Sequence, residues 1–77
     1  RDLRGEELAV LLGRYCYEAT RQTGSHMRLT TTRGGEHHMT IPRHRSLRVG
    51  TLNAILKDVA EHLGIPRQTL LEALFGR

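Results

Sequence analysis

One histidine behind a glycine turn, set among arginines, is the arrangement in this chain best suited to chemistry. The run Gly24-Ser25-His26 puts an imidazole at the head of a short strand, and Gly24 lets the backbone turn tightly just before it. Residues 21–48 carry Arg21, Arg28, Arg33, Arg43, Arg45 and Arg48 against one acid, Glu36, a net +5. Residues 1–20 sum to −1 and residues 49–77 to zero, so the whole +4 of the chain lies in its middle third, beside four of its five histidines. Imidazole changes charge near neutrality. Such a group inside a positive field suits phosphodiester cleavage, with a base to take the proton of a ribose 2′-OH and cations to hold the phosphate.

The individual residues sort by position. His26 shares a strand face with Arg28, opposite the apolar Met27 and Leu29, so it faces away from the core as a candidate general base. His44 is the candidate second acid or base, because it follows Pro42, which falls opposite His26 in a hairpin register. His38 falls opposite Thr30, four residues along from His26. At about 3.3 Å per residue that is ~13 Å, too far for direct cooperation. His37 and His38 point to opposite strand faces and cannot share a metal, so no metal site and no cofactor are expected. His62 reads as a surface residue. Arg28, Arg43, Arg45 and Arg48 are the candidate phosphate ligands, with Arg21 and Arg33 adding longer-range attraction. Tyr15, Tyr17 and Phe75 are the only Phe, Tyr or Trp residues, which argues against a base-stacking platform of the single-strand-binding sort and favours backbone recognition.

The elements that must position these residues follow from periodicity. Leu8, Leu11, Leu12 and Tyr15 make one helical stripe over about residues 5–16. Residues 17–22 are strand-like, Thr23-Gly24 is a turn, and residues 25–32 alternate. Arg33-Gly34-Gly35 predicts a three-residue hairpin loop, and residues 37–42 return with Met27 opposite Ile41 and Leu29 opposite Met39. A basic loop covers 43–50. Thr51 is the expected N-cap of a second helix whose stripe is Leu52, Ile55, Leu56, Val59, Ala60 and Leu63, with Gly64 closing it. Pro66 suits the first turn of a third helix carrying Leu70, Leu71, Leu74 and Phe75. The expected fold is α+β in the order α-β-β-β-α-α, a three-stranded antiparallel sheet with helices packed on one face.

Bulk properties narrow the class. Seventy-seven residues make one domain, 1–77, that buries only about 60% of its unfolded surface. The single cysteine, Cys16, excludes an internal disulfide and a thiolate zinc site, and a reducing cytoplasm is the expected setting. No apolar run approaches the roughly 20 residues of a membrane span, so no membrane role is expected. The basic centre predicts an anionic partner, nucleic acid before an acidic protein.

The segments Arg21-Gln-Thr-Gly-Ser-His-Met-Arg-Leu29, Gly35-Glu-His-His-Met-Thr-Ile-Pro-Arg-His44 and Arg48-Val-Gly-Thr-Leu-Asn-Ala-Ile-Leu56, placed after a helix and Tyr17, resemble the HicA toxin family. The resemblance covers nearly the whole chain. It implies a fold similar to a double-stranded-RNA-binding domain and cleavage of mRNA without a metal. It also implies a catalytic histidine at His26, inhibition by a HicB-type antitoxin, and contact with DNA only through the antitoxin complex. One position departs from the pattern: Cys16 stands where the family commonly has glycine, at a cost of about 1 kcal/mol if the residue is left-handed.

Three other readings fit parts of the chain. Gly24-Ser25-His26-Met27 is also the remnant of a recombinant tag, but the helix and strand pattern upstream is coherent. A non-catalytic RNA-binding domain would share the basic centre. Residues 60–75 read as a helix-turn-helix, with Arg67, Gln68 and Thr69 opening a DNA-recognition helix. The neutral balance of residues 49–77 speaks against that last reading.

Overall fold

The computed structural model describes residues 3–76. Helix α1 spans Gly5–Leu12 and is followed by a 3₁₀ turn, Gly13–Tyr15. Strands β1 (Glu18–Thr23), β2 (His26–Thr31) and β3 (His37–Pro42) come next, then helices α2 (Val49–Leu63) and α3 (Arg67–Phe75). The three strands form one antiparallel sheet in the order β1-β2-β3, so β2 is central. This is the expected α+β order. The chain divides into two compact units, Arg1–Leu47 with the sheet and Arg48–Arg77 with α2 and α3.

Within the first unit the alternation of β2 sets the two faces. Met27, Leu29 and Thr31 are buried, whereas His26, Arg28 and Thr30 lie on the opposite, solvent-facing side. Leu8 and Leu12 of α1, Tyr17 and Ile41 complete the buried set. Each fully buried leucine contributes about 1.5–3 kcal/mol. Buried Thr31 is satisfied, because its hydroxyl donates to Tyr15 O at 2.9 Å and accepts from Arg33 N at 3.1 Å.

The start of α1 is fastened to the loop after β3. Gly5 N donates to Arg45 O at 3.2 Å and Glu6 N to Arg43 O at 2.9 Å, which satisfies amide groups that a helix start leaves without partners. Glu7 accepts from Arg4 N at 2.8 Å. The approach is close: a Cβ on Gly5 would lie 1.6 Å from Pro42 O.

Several boundaries differ from expectation, each for a local reason. The first helix ends at Leu12, and the chain tightens through the 3₁₀ turn into Cys16, which is left-handed at φ 68°. The β2–β3 register is the one expected, with Met27 opposite Ile41 and Leu29 opposite Met39. Pairing stops at Thr31–His37, one rung early, so residues 32–36 form the connection. Thr31 Oγ1 takes the Arg33 amide and Gly35 N bonds Thr32 O at 3.0 Å, which closes the turn before another rung forms. Helix α2 starts at Val49 with Arg48 as its N-cap, not at Thr51, because Leu52 N reaches Arg48 O at 2.8 Å. Pro66 is the N-cap of α3 and not in its first turn.

In the second unit the buried side chains are Leu56, Val59 and Ala60 of α2 with Leu70 and Leu74 of α3. Gly64, left-handed at φ 69°, ends α2. Phe75 is 44% exposed. No helix among the described residues is long and apolar enough to cross a membrane.

Candidate active site on the open sheet face

Gly24 and Ser25 make the two-residue turn between β1 and β2. Gly24 takes φ 58°, a conformation that side-chained residues adopt at a cost. His26 is the first residue after that turn, opposite Thr23 on β1 and Pro42 on β3. Arg43 N donates to Ser25 O at 2.7 Å, which ties the turn to the end of β3.

An open cavity of about 160 Å³ lies here, lined by Arg21, Thr23, His26, Met27, Arg28 and Thr40. Arg21 and Arg28 are direct cross-strand partners. Like charges facing each other across a ladder destabilise by a few tenths to about 1 kcal/mol. An anion seated between the two guanidiniums would reverse that repulsion. Two guanidiniums beside an exposed imidazole are the chemistry suited to holding a phosphate and removing a nearby proton.

Arg21 reaches this cavity because the two-residue Gly24–Ser25 turn sets Thr23 opposite His26, Gln22 opposite Met27 and Arg21 opposite Arg28. The β1 register shifts between Ala19 and Arg21, so Thr20 is an extra residue. Thr20 Oγ1 bonds Thr30 Oγ1 at 2.8 Å on the open face, while Arg21 stands opposite Arg28 on the same face. The alternation of residue types gives no sign of the bulge, and it sets no β1–β2 register, so the sequence assigns Arg21 only a distant role. Thr23 and Thr40 line the cavity as well, and nothing in their residue type marks them in the sequence.

The other candidates lie elsewhere. His44 Nδ1 is 3.9 Å from Glu6 Oε1 of α1, and its carbonyl accepts from Arg4 Nε at 3.0 Å. Arg43 Nε is 4.0 Å from Glu6 Oε2. Neither side chain lines the cavity with His26. Arg45 is exposed in the same loop, where its carbonyl receives the Gly5 amide. Arg48 caps α2 in the second unit. His37 and His38 diverge as expected: His37 Nδ1 bonds Tyr17 OH at 2.7 Å, and His38 Nδ1 bonds Thr30 Oγ1 at 2.8 Å on the open face. Arg67 Nη2 donates to Asn53 Oδ1 at 2.5 Å and Gln68 Nε2 to Glu72 Oε2 at 3.3 Å. Two of the three side chains that a DNA-reading helix would use, Arg67 and Gln68, are thus engaged within their own unit.

Comparison with known families matches residues 5–60 to the HicA toxin of bacterial toxin–antitoxin systems. The chain belongs to the HicA toxin family. Neither a curated protein nor a solved structure matches it significantly. The HicA match spans residues 5–60, which take in α1, β1, the Gly24–Ser25 turn and β2, and this speaks for the residues upstream of Gly24 as part of the domain and against a tag remnant. As a HicA toxin, the chain has an antitoxin for its partner.

Proposed function

We propose that this HicA-family toxin is an endoribonuclease that cuts mRNA without a metal, with His26 as general base. His26 takes the proton of a ribose 2′-OH. The 2′ oxygen attacks the adjacent phosphorus, the bond to the 5′ oxygen breaks, and a 2′,3′-cyclic phosphate and a 5′-hydroxyl result. Arg28 and Arg21 hold the phosphate and offset the charge that grows on its oxygens. His44 is proposed to return a proton to the leaving 5′ oxygen. Its Nδ1 faces Glu6, so Nε2 is the nitrogen that would donate. Arg43 and Arg45 are proposed to supply further phosphate contacts, and Arg48, in the second unit, is a separate candidate phosphate ligand. We expect a HicB-type antitoxin to inhibit by covering this face and burying His26, in a cytoplasmic complex through which any DNA is contacted.

The observation that carries the reading is the pairing of Arg21 with Arg28 beside exposed His26 in a single cavity. Two facing guanidiniums concentrate positive charge where an anionic substrate would be held. The test is cleavage of a long single-stranded RNA in excess EDTA by the wild type and by His26→Ala. Cutting by the wild type alone, with cyclic phosphate ends, is expected. Intact RNA with folded, antitoxin-free wild type would return the chain to the class of non-catalytic RNA-binding domains.

A further inference from the structure

The open face carries a second constellation that cleavage does not use. Thr20 Oγ1 lies 2.8 Å from Thr30 Oγ1, Thr30 Oγ1 lies 2.8 Å from His38 Nδ1, and His38 Nε2 lies 2.6 Å from Glu36 Oε2. All three strands contribute, with Glu36 at the entry to β3. With the ring proton of His38 on Nε2, each group donates to the next and the chain of bonds ends on the carboxylate. Thr30 is four residues along β2 from His26, about 13 Å at ~3.3 Å per residue.

Hydroxyl, imidazole and carboxylate in this order also describe a nucleophile with its base. That chemistry needs donors converging on an oxyanion and a site that excludes water. Here β2 is the central strand, so its amide groups belong to the ladder, and both Thr20 and Glu36 are exposed. The cluster is better suited to recognition. Glu36 is the single acid among residues 21–48, in company with six arginines. A carboxylate there repels phosphate and weakens any contact with a nucleic-acid backbone. It attracts hydrogen-bond donors, and the N–H donors that an RNA strand presents are on base edges. One oxygen of Glu36 receives His38, yet a carboxylate offers about four lone-pair sites, so both oxygens can still accept. Guanine presents two adjacent N–H donors, N1–H and N2–H, on its Watson–Crick edge, spaced for the two oxygens of one carboxylate. The His38 ring supplies a face on which an unstacked base can lie.

We propose that Glu36 reads guanine in an RNA strand lying on the open sheet face, with His38 and Thr30 as positioning residues that hold its carboxylate. The proposal deepens the ribonuclease reading and rests on RNA occupying that face. Stacked nucleotides advance about 3.4 Å along one strand, so ~13 Å along β2 sets the guanine away from the cut rather than at it. Specificity and cleavage then reside at opposite ends of β2.

The test is fluorescence anisotropy with labelled heptauridylates whose central nucleotide is G, A, C or U, bound to full-length His26→Ala so that the RNA stays intact. A good bidentate base contact gives about tenfold discrimination, and the G oligonucleotide is expected to bind about that much more tightly than the all-U one. Glu36→Gln in the same background is expected to bring the G oligonucleotide to the all-U level, while all-U affinity holds or rises as a repulsive charge leaves. His38→Ala is expected to lower the G-to-U ratio more than it lowers all-U affinity, which loss of structure alone would not do. Equal affinity for the four, binding of none, or a G preference that survives Glu36→Gln would each overturn the proposal. A preference that depends on Glu36 in a protein whose wild type leaves RNA uncut would support this inference while overturning the ribonuclease reading.

Discussion

Cys16 holds φ 68° and ψ 22°, where its Cβ crowds the following carbonyl. Glycine relieves that crowding, so Cys16→Gly should raise stability by about 1 kcal/mol, seen in thermal melts as a Tm about 4–8 °C higher. At the site, His26→Ala should lower the cleavage rate by about 10²–10⁴-fold, the usual contribution of a positioned acid–base group. His44→Ala in the same single-turnover assay should cost less, because the leaving oxygen can also take its proton from water. The sequence made His26 and Arg28 legible, since strand alternation alone puts them on one face. It did not show Arg21 beside them, because alternation alone does not fix where the β1–β2 turn falls, and with it the register that sets Arg21 opposite Arg28. Nor did it show His44 turned toward Glu6. Distance along the chain from Pro42 says how near a loop residue starts, not which way its ring points.

The contact between α1 and the end of β3 leaves no room for a side chain at Gly5. The obstructing atom is a backbone oxygen, which cannot swing aside as a side chain does. Gly5→Ala should therefore destabilise by about 1–3 kcal/mol or more, a Tm loss of roughly 10 °C in differential scanning calorimetry. The same change should weaken cleavage even where the protein stays folded, because α1 holds residues 43–46 through the Gly5 and Glu6 amides. The elements themselves were legible. The periods of 3.6 and 2 are strong in Leu8-Leu12 and in Met27-Leu29, and the β2–β3 register follows from them. Their ends were less so. Hydrogen bonds accepted by Thr31 Oγ1 from Arg33 N and by Arg48 O from Leu52 N decide where the hairpin stops and where α2 begins, and residue type alone does not say which of several local partners such a group takes.

For the whole molecule, the concentration of charge in residues 21–48 predicts how binding responds to salt. Each phosphate neutralised on a single strand contributes about 0.7 to the slope of log K against log salt. Replacing Arg21 and Arg28 together by glutamine should flatten that slope by about 1.4, two such contacts, in a titration of uncut RNA across buffers of increasing sodium chloride. An unchanged slope would remove phosphate from the cavity. Composition made this charge asymmetry plain, but not the two compact units, Arg1–Leu47 and Arg48–Arg77, which a length of 77 residues does not suggest. The bulge at Thr20 has one more consequence. On either side of it, β1 pairs with β2 as an unbroken ladder would if Thr20 were absent. A chain lacking that one codon would keep Ala19 opposite Leu29 and Arg21 opposite Arg28, and would lose only the hydroxyl that touches Thr30. Single-residue insertion and deletion in an edge strand thus offers a route by which descendants of this protein gain or shed a surface contact while the central strand keeps its sequence.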